Sequence, residues 1–104
     1  MNHFTSKAGY DGIRSHVVWK FVAQEPPGGH PRGAYFMTLG PGERRLAQRL
    51  RIPREKVAYY FSFVGDDGLL PLRGGRGQYI FYSPEDYRVP PRRQTGHGPR
   101  EEPA

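Results

Sequence analysis

Few side chains in this chain of 104 residues are equipped for chemistry, and those that are fall on segments with strand character. His3 stands in Asn2-His3-Phe4-Thr5, which alternates polar and apolar residues like a half-buried strand. Ser6 can then cap a helix on which Tyr10 and Ile13 share one face. A histidine beside a helix N-terminus meets free amide N–H groups and the positive end of the helix dipole, which suit an anionic or carboxamide-bearing ligand. The other role open to a lone histidine there is that of a hydrogen-bonded structural residue. Tyr35 lies within Gly33 to Thr38, a second strand-like run, and Gln78 opens a third, Gln78-Tyr79-Ile80-Phe81-Tyr82. The glycine-rich backbone just before Gln78, Gly74-Gly75-Arg76-Gly77, would let a phosphate approach closely, yet it lacks the lysine and helix of a P-loop. Acids are available in turns at Asp66, Asp67, Glu85 and Asp86. No metal is expected: His3, His16 and His30 match no metal-ligand spacing, and without cysteine there is no thiolate site.

The elements that must position these groups are short. His16 to Val22 reads as a strand with Trp19 in the core, and Gln24 to Arg32, rich in proline and glycine, as a stiff loop able to cover a neighbouring cleft. Glu43 to Arg51 is expected to be a helix with Leu46, Ala47 and Leu50 on one face, ended by Pro53. Val57 to Val64 is the strongest strand and is expected to be central to the sheet. Fourteen Gly and eleven Pro exclude a helical bundle, while seven Tyr, six Phe and one Trp point to a core built on aromatic packing. The chain is long enough for one domain, expected over residues 1–89, and the Pro/Arg/Gly-rich residues 90–104 are expected to be a disordered tail.

The formal charge is +6, and much of it lies in one segment. Between Glu43 and Lys56 the bases Arg44, Arg45, Arg49, Arg51, Arg54 and Lys56 face only Glu43 and Glu55. An acidic partner could dock there, or the arginines could be the solvated face of an amphipathic helix. Aromatic residues do not interleave with them as single-strand binding requires. No apolar run reaches the roughly 20 residues that span a bilayer, so the chain is expected to be soluble, either cytoplasmic or delivered into a target cell.

Taken in order, His3-Phe4-Thr5 followed by Gly9-Tyr10, then Gly33-Ala34-Tyr35-Phe36, then Gln78-Tyr79-Ile80-Phe81-Tyr82 resembles the motif series of ADP-ribosyltransferases related to diphtheria toxin and the poly(ADP-ribose) polymerases. Within that superfamily, the small size, Gly40-Pro41-Gly42 and the late Ser83-Pro84-Glu85-Asp86 are most similar to compact toxin domains of the histidine, tyrosine, aspartate class. The resemblance implies an α+β fold, a compact split antiparallel β-sheet core with two short helices. It implies NAD as substrate, cleaved at the nicotinamide-ribose bond, with ADP-ribose passed to a macromolecular acceptor, protein or nucleic acid. A partner immunity protein would also fit.

By the same resemblance, His3 would hydrogen-bond the adenosine ribose, and the backbone around Phe4, with Thr5 beside it, would hold the nicotinamide carboxamide. Tyr35 would stack on the nicotinamide ring, and Leu46 or Leu50 would form the opposite apolar wall, where the family often has a second tyrosine. Gln78 stands where the family usually has glutamate. A neutral amide can hold a ribose hydroxyl but cannot oppose the positive charge that develops as nicotinamide leaves. Three consequences are open: a slow mono-ADP-ribosyltransferase, substitution by a nearby carboxylate with Asp86 the first candidate, or a catalytically silent basic module that binds nucleic acid or an acidic partner. NAD hydrolysis is the nearest enzymatic variant.

Overall fold

Alternation of side chains decides what each strand buries, and here it sends Phe36, Phe61, Phe63 and Phe81 to one face of a sheet and Phe4, Tyr35 and Tyr82 to the other. The computed structural model describes residues 1–26, 28–73 and 79–101; Gln78 lies outside them. Strands β1 (Asn2–Thr5), β3 (Ala34–Met37), β4 (Tyr59–Phe63), β5 (Leu70–Pro71), β6 (Ile80–Ser83) and β8 (Gln94–Pro99) form an antiparallel sheet in the order β5-β6-β3-β1-β4-β8. β2 (Trp19–Phe21) and β7 (Tyr87–Val89) pair separately as a two-stranded ribbon. With helices α1 (Lys7–Arg14) and α2 (Leu46–Leu50), the protein is α+β with a predominantly antiparallel sheet.

The ribbon and α1 close one face of the sheet. Phe36, Phe61 and Phe63 from the sheet meet Trp19, Phe21, Tyr87 and Val89 from the ribbon and Tyr10 from α1, all buried. Several of the rings pack edge to face, as in Phe21 on Phe36 at 5.1 Å and Trp19 on Phe61 at 4.8 Å, a geometry that ring quadrupoles favour. The opposite face is covered in part by α2 and a 3-10 turn, Arg54–Val57, where Leu46, Ala47 and Val57 pack against Phe4, Met37 and Leu39.

Local chemistry explains the start of the chain. Ser6 caps α1, its Oγ accepting the Gly9 N–H, and Gly9 has no room for a side chain because a Cβ there would lie 2.1 Å from Thr5 Oγ1. β4 is interior, between β1 and β8, as its composition predicts.

Two expectations are corrected. Residues 94–99, assigned from composition to a disordered tail, form β8, which pairs with β4 from Tyr59↔Pro99 to Phe63↔Gln94. Arg93 anchors that strand: its guanidinium donates to Val64 O at 3.2 Å, Asp66 Oδ2 at 3.2 Å, Tyr87 Oη at 2.9 Å and Arg88 O at 2.9 Å. Five partners' worth of backbone pairing and this fork outweigh the low hydrophobicity of the segment. The expected helix from Glu43 to Arg51 contracts to Leu46–Leu50, because Arg45 and Arg51 at its two ends are left-handed, each with φ 54°.

Candidate functional site

The main sheet is almost divided between β1 and β3. Their ladder consists of one pair, Asn2↔Met37, whereas β1 pairs with β4 at four positions and β3 with β6 at four. Met1 and Phe63 exchange both backbone bonds, at 2.9 and 3.0 Å, so by antiparallel alternation His3 and Thr5 also bond toward β4, while Asn2 and Phe4 turn their N–H and C=O groups toward β3. On the other side, Thr38 N–H donates to Tyr79 O at 2.9 Å, so Phe36 and Ala34 bond toward β6, and Tyr35 and Met37 turn toward β1. Asn2 and Met37 meet as a pair; Phe4 and Tyr35, the next two, do not. His3 takes the place of that missing ladder bond, its Nδ1 lying 3.0 Å from the Tyr35 carbonyl oxygen.

That contact defines the state of the ring. A carbonyl only accepts, so Nδ1 carries the proton, and Nε2 of the neutral imidazole is left as an acceptor. Burial lowers the His3 pKa below its ordinary value and outweighs the opposing effect of the bond to Tyr35. The ring packs 4.7 Å from Phe21 and 5.7 Å from Phe36 while staying partly exposed. His3 is thus a neutral, oriented acceptor at the edge of the aromatic core, able to accept a hydrogen bond from a hydroxyl and unsuited to hold an anion.

Tyr35 projects to the opposite face, since its neighbours Ala34 and Phe36 are buried in the core. Its ring stacks on Tyr82 at 5.6 Å and 17°, and its hydroxyl donates to Pro31 O. Burial, followed by the nearby Tyr82, raises its pKa, which keeps the phenol neutral. A cleft of about 310 Å³ opens beside this pair between Pro31, Leu70, Pro71, Leu72, Arg73 and Tyr82. Tyr82 was not among the candidate residues; its position opposite Tyr35 in the β3–β6 register makes it one wall of this cleft. The signal was present in the alternation of β6, where Ile80 and Tyr82 fall on the face opposite Phe81.

Three residues named from sequence therefore converge on the split, His3 and Phe4 on β1 and Tyr35 across from them, while Thr5 at the end of β1 bonds toward β4. Leu46 does not face open space. It is fully buried against the Phe4 and Met37 side of the sheet and serves as core. Asp86 is engaged elsewhere, with Oδ1 accepting the Ala23 N–H at 2.8 Å and Oδ2 facing Lys20 Nζ at 3.5 Å. The Ala23 bond holds its carboxyl below the usual range, partial desolvation opposing and the Lys20 charge assisting. These contacts tie the β6–β7 connection to the end of β2, and neither involves His3 or Tyr35. Among the described residues no three His, Asp or Glu side chains are grouped to hold a metal, and no helix is long and apolar enough to cross a membrane.

Comparison with protein-family models, with curated proteins and with solved structures finds no match for this chain.

Proposed function

We propose that the protein is an NAD-dependent mono-ADP-ribosyltransferase of the effector type. The observation that carries this reading is the adjacency of the three motif-bearing segments. His3 on β1, Tyr35 on β3 and β6, the strand that follows Gln78, are consecutive neighbours in the sheet although they lie far apart in the chain. The split supports it chemically. Phe4 offers an unpaired-ladder N–H and C=O of the kind that clasps a carboxamide, which needs one acceptor and one donor. The His3 Nε2 can accept from a ribose hydroxyl. The His3 and Tyr35 rings leave the sheet on opposite faces, so a ligand touching both would pass the end of the β1–β3 ladder, beside the contact of His3 with the Tyr35 carbonyl.

In the reaction the nicotinamide-ribose C–N bond breaks, nicotinamide departs with the electron pair, and an acceptor nucleophile bonds the ribose carbon. Gln78 would hold the ribose by hydrogen bonding without countering its charge, which fits slow transfer of single units. Purified protein incubated with NAD and a cell lysate is expected to release nicotinamide and to label macromolecules with ADP-ribose. The double variant His3→Ala/Tyr35→Ala, checked for folding by circular dichroism, should do neither. Wild-type protein that neither binds NAD nor releases nicotinamide would rule this function out, and release without labelling would identify a hydrolase.

A further inference from the structure

We propose that the face formed by α2 and the following 3-10 turn docks the phosphate backbone of duplex nucleic acid; calling that duplex the acceptor rests on the transferase reading, whereas the docking does not. Arg44, Arg45, Arg51, Arg54 and Lys56 are all exposed. Of the two acids in the stretch, Glu43 is occupied by Arg49, and Arg45 is itself engaged, which leaves Glu55 against Arg44, Arg51, Arg54 and Lys56. The composition favours phosphate over carboxylate surfaces in general, because the guanidinium fork binds phosphate oxygens bidentately and three of the four are arginine.

The surroundings narrow the partner. No aromatic residue lies between Glu43 and Val57, and Tyr79, whose ring lies beside α2, already carries the Arg49 guanidinium at 5.9 Å, so the segment itself supplies no row of rings on which the bases of a single strand could stack. Arg45 and Arg51 also hold left-handed conformations that cost an arginine about 1 kcal/mol or more each, in a segment whose core contacts come only from Leu46, Ala47, Leu50 and Val57. The segment covers the face onto which Phe4 and Tyr35 project, so a bound duplex would lie on the nicotinamide side of the split.

The test is equilibrium binding of fluorescein-labelled DNA and RNA duplexes of about 20 base pairs between roughly 50 and 200 mM salt. Wild type should show a steep loss of affinity, and Arg44→Ala/Arg54→Ala/Lys56→Ala should flatten the log-log slope by about 0.9 for each cation removed. The DNA and RNA arms identify the source of the phosphates. Absence of duplex binding at low salt, an unchanged slope in the folded triple variant, or equally tight binding of polyglutamate would each overturn the proposal. Nicotinamide release measured on the same samples keeps the two ideas apart: release without duplex binding removes only the docking face, and duplex binding without release removes only the transferase.

Discussion

His3 donates from Nδ1 to the backbone carbonyl of Tyr35 at 3.0 Å, at the point where the ladder between β1 and β3 ends after one pair. A side chain substitutes for a main-chain donor, so the carbonyl is satisfied while the strands part. The histidine is in this sense structural, and under the proposed function its Nε2 would also accept from the ligand.

Because burial lowers its pKa, His3 should make stability depend on pH. The folded state binds fewer protons than the unfolded chain below the ordinary value of 6.5, so the contribution is complete above that pH and is lost as pH falls from 6.5 through the folded value. Urea midpoints measured between about pH 7.5 and 5.5 should decline for wild type. His3→Gln, which retains a donor for Tyr35 and cannot titrate, should decline less. Parallel profiles for the two proteins would show that His3 is not the titrating group.

Tyr35 allows stacking to be separated from hydrogen bonding. Tyr35→Phe removes the bond to Pro31 and should cost about 0.5 to 1 kcal/mol of stability while leaving the ring against Tyr82. Its affinity for NAD should be nearly that of wild type. Tyr35→Ala removes the ring, and calorimetric titration should show NAD binding weakened by about two- to tenfold or more, the worth of one aromatic stacking contact. Equal losses for both variants would locate the effect in the hydroxyl and sink the stacking role.

How much was legible beforehand differs between the two ends of the chain. β1 and the Ser6 cap were readable to the residue and α1 by its start and its Tyr10–Ile13 face, because the alternation of Asn2 to Thr5 and a serine before a helical face are local signals. β8 was not. Gln94-Thr95-Gly96-His97-Gly98-Pro99 has the composition of a linker, and it is held by partners distant in sequence: the β4 edge, and Tyr10, whose hydroxyl lies 2.7 Å from His97 Nδ1. The same limit applies to the site. The split was expected only through resemblance, since the end of a ladder depends on which carbonyl a remote side chain takes. Asp86 looked like a free turn acid because its amide partner, Ala23, is 63 positions away.

Arg93 should be the most sensitive surface-proximal residue. Its guanidinium joins Val64, Asp66, Tyr87 and Arg88, bracing the turn after β4 against β7. Asp66 is almost half exposed, so the ion pair itself counts for little; the loss in Arg93→Met comes from the buried and backbone acceptors and is expected to be about 2 kcal/mol. Arg93→Lys should recover little of it, because one ammonium cannot reproduce a planar fork. Chemical denaturation decides the matter, and a lysine variant as stable as wild type would mean that only the charge matters.

Arg51 offers a prediction in which stability and binding move in opposite directions. It ends α2 with φ 54°, and the turn is closed by Arg51 N–H to Gln48 O at 3.2 Å and Ile52 N–H to Ala47 O at 3.1 Å, a pattern in which glycine is the usual residue. Arg51→Gly relieves the left-handed strain but gives the unfolded chain more freedom, and the net gain is expected to be about 0.5 kcal/mol, or roughly 2 to 4 °C in Tm. The same change removes one exposed cation and should lower the salt slope for duplex binding by about 0.9. Arg54→Ala, on the 3-10 turn with an ordinary backbone, should lower the slope equally without the thermal gain. If Arg51→Gly melts lower than wild type, the left-handed turn is not a source of strain; if it melts higher with no change in slope, Arg51 belongs to the helix end alone and not to a docking face.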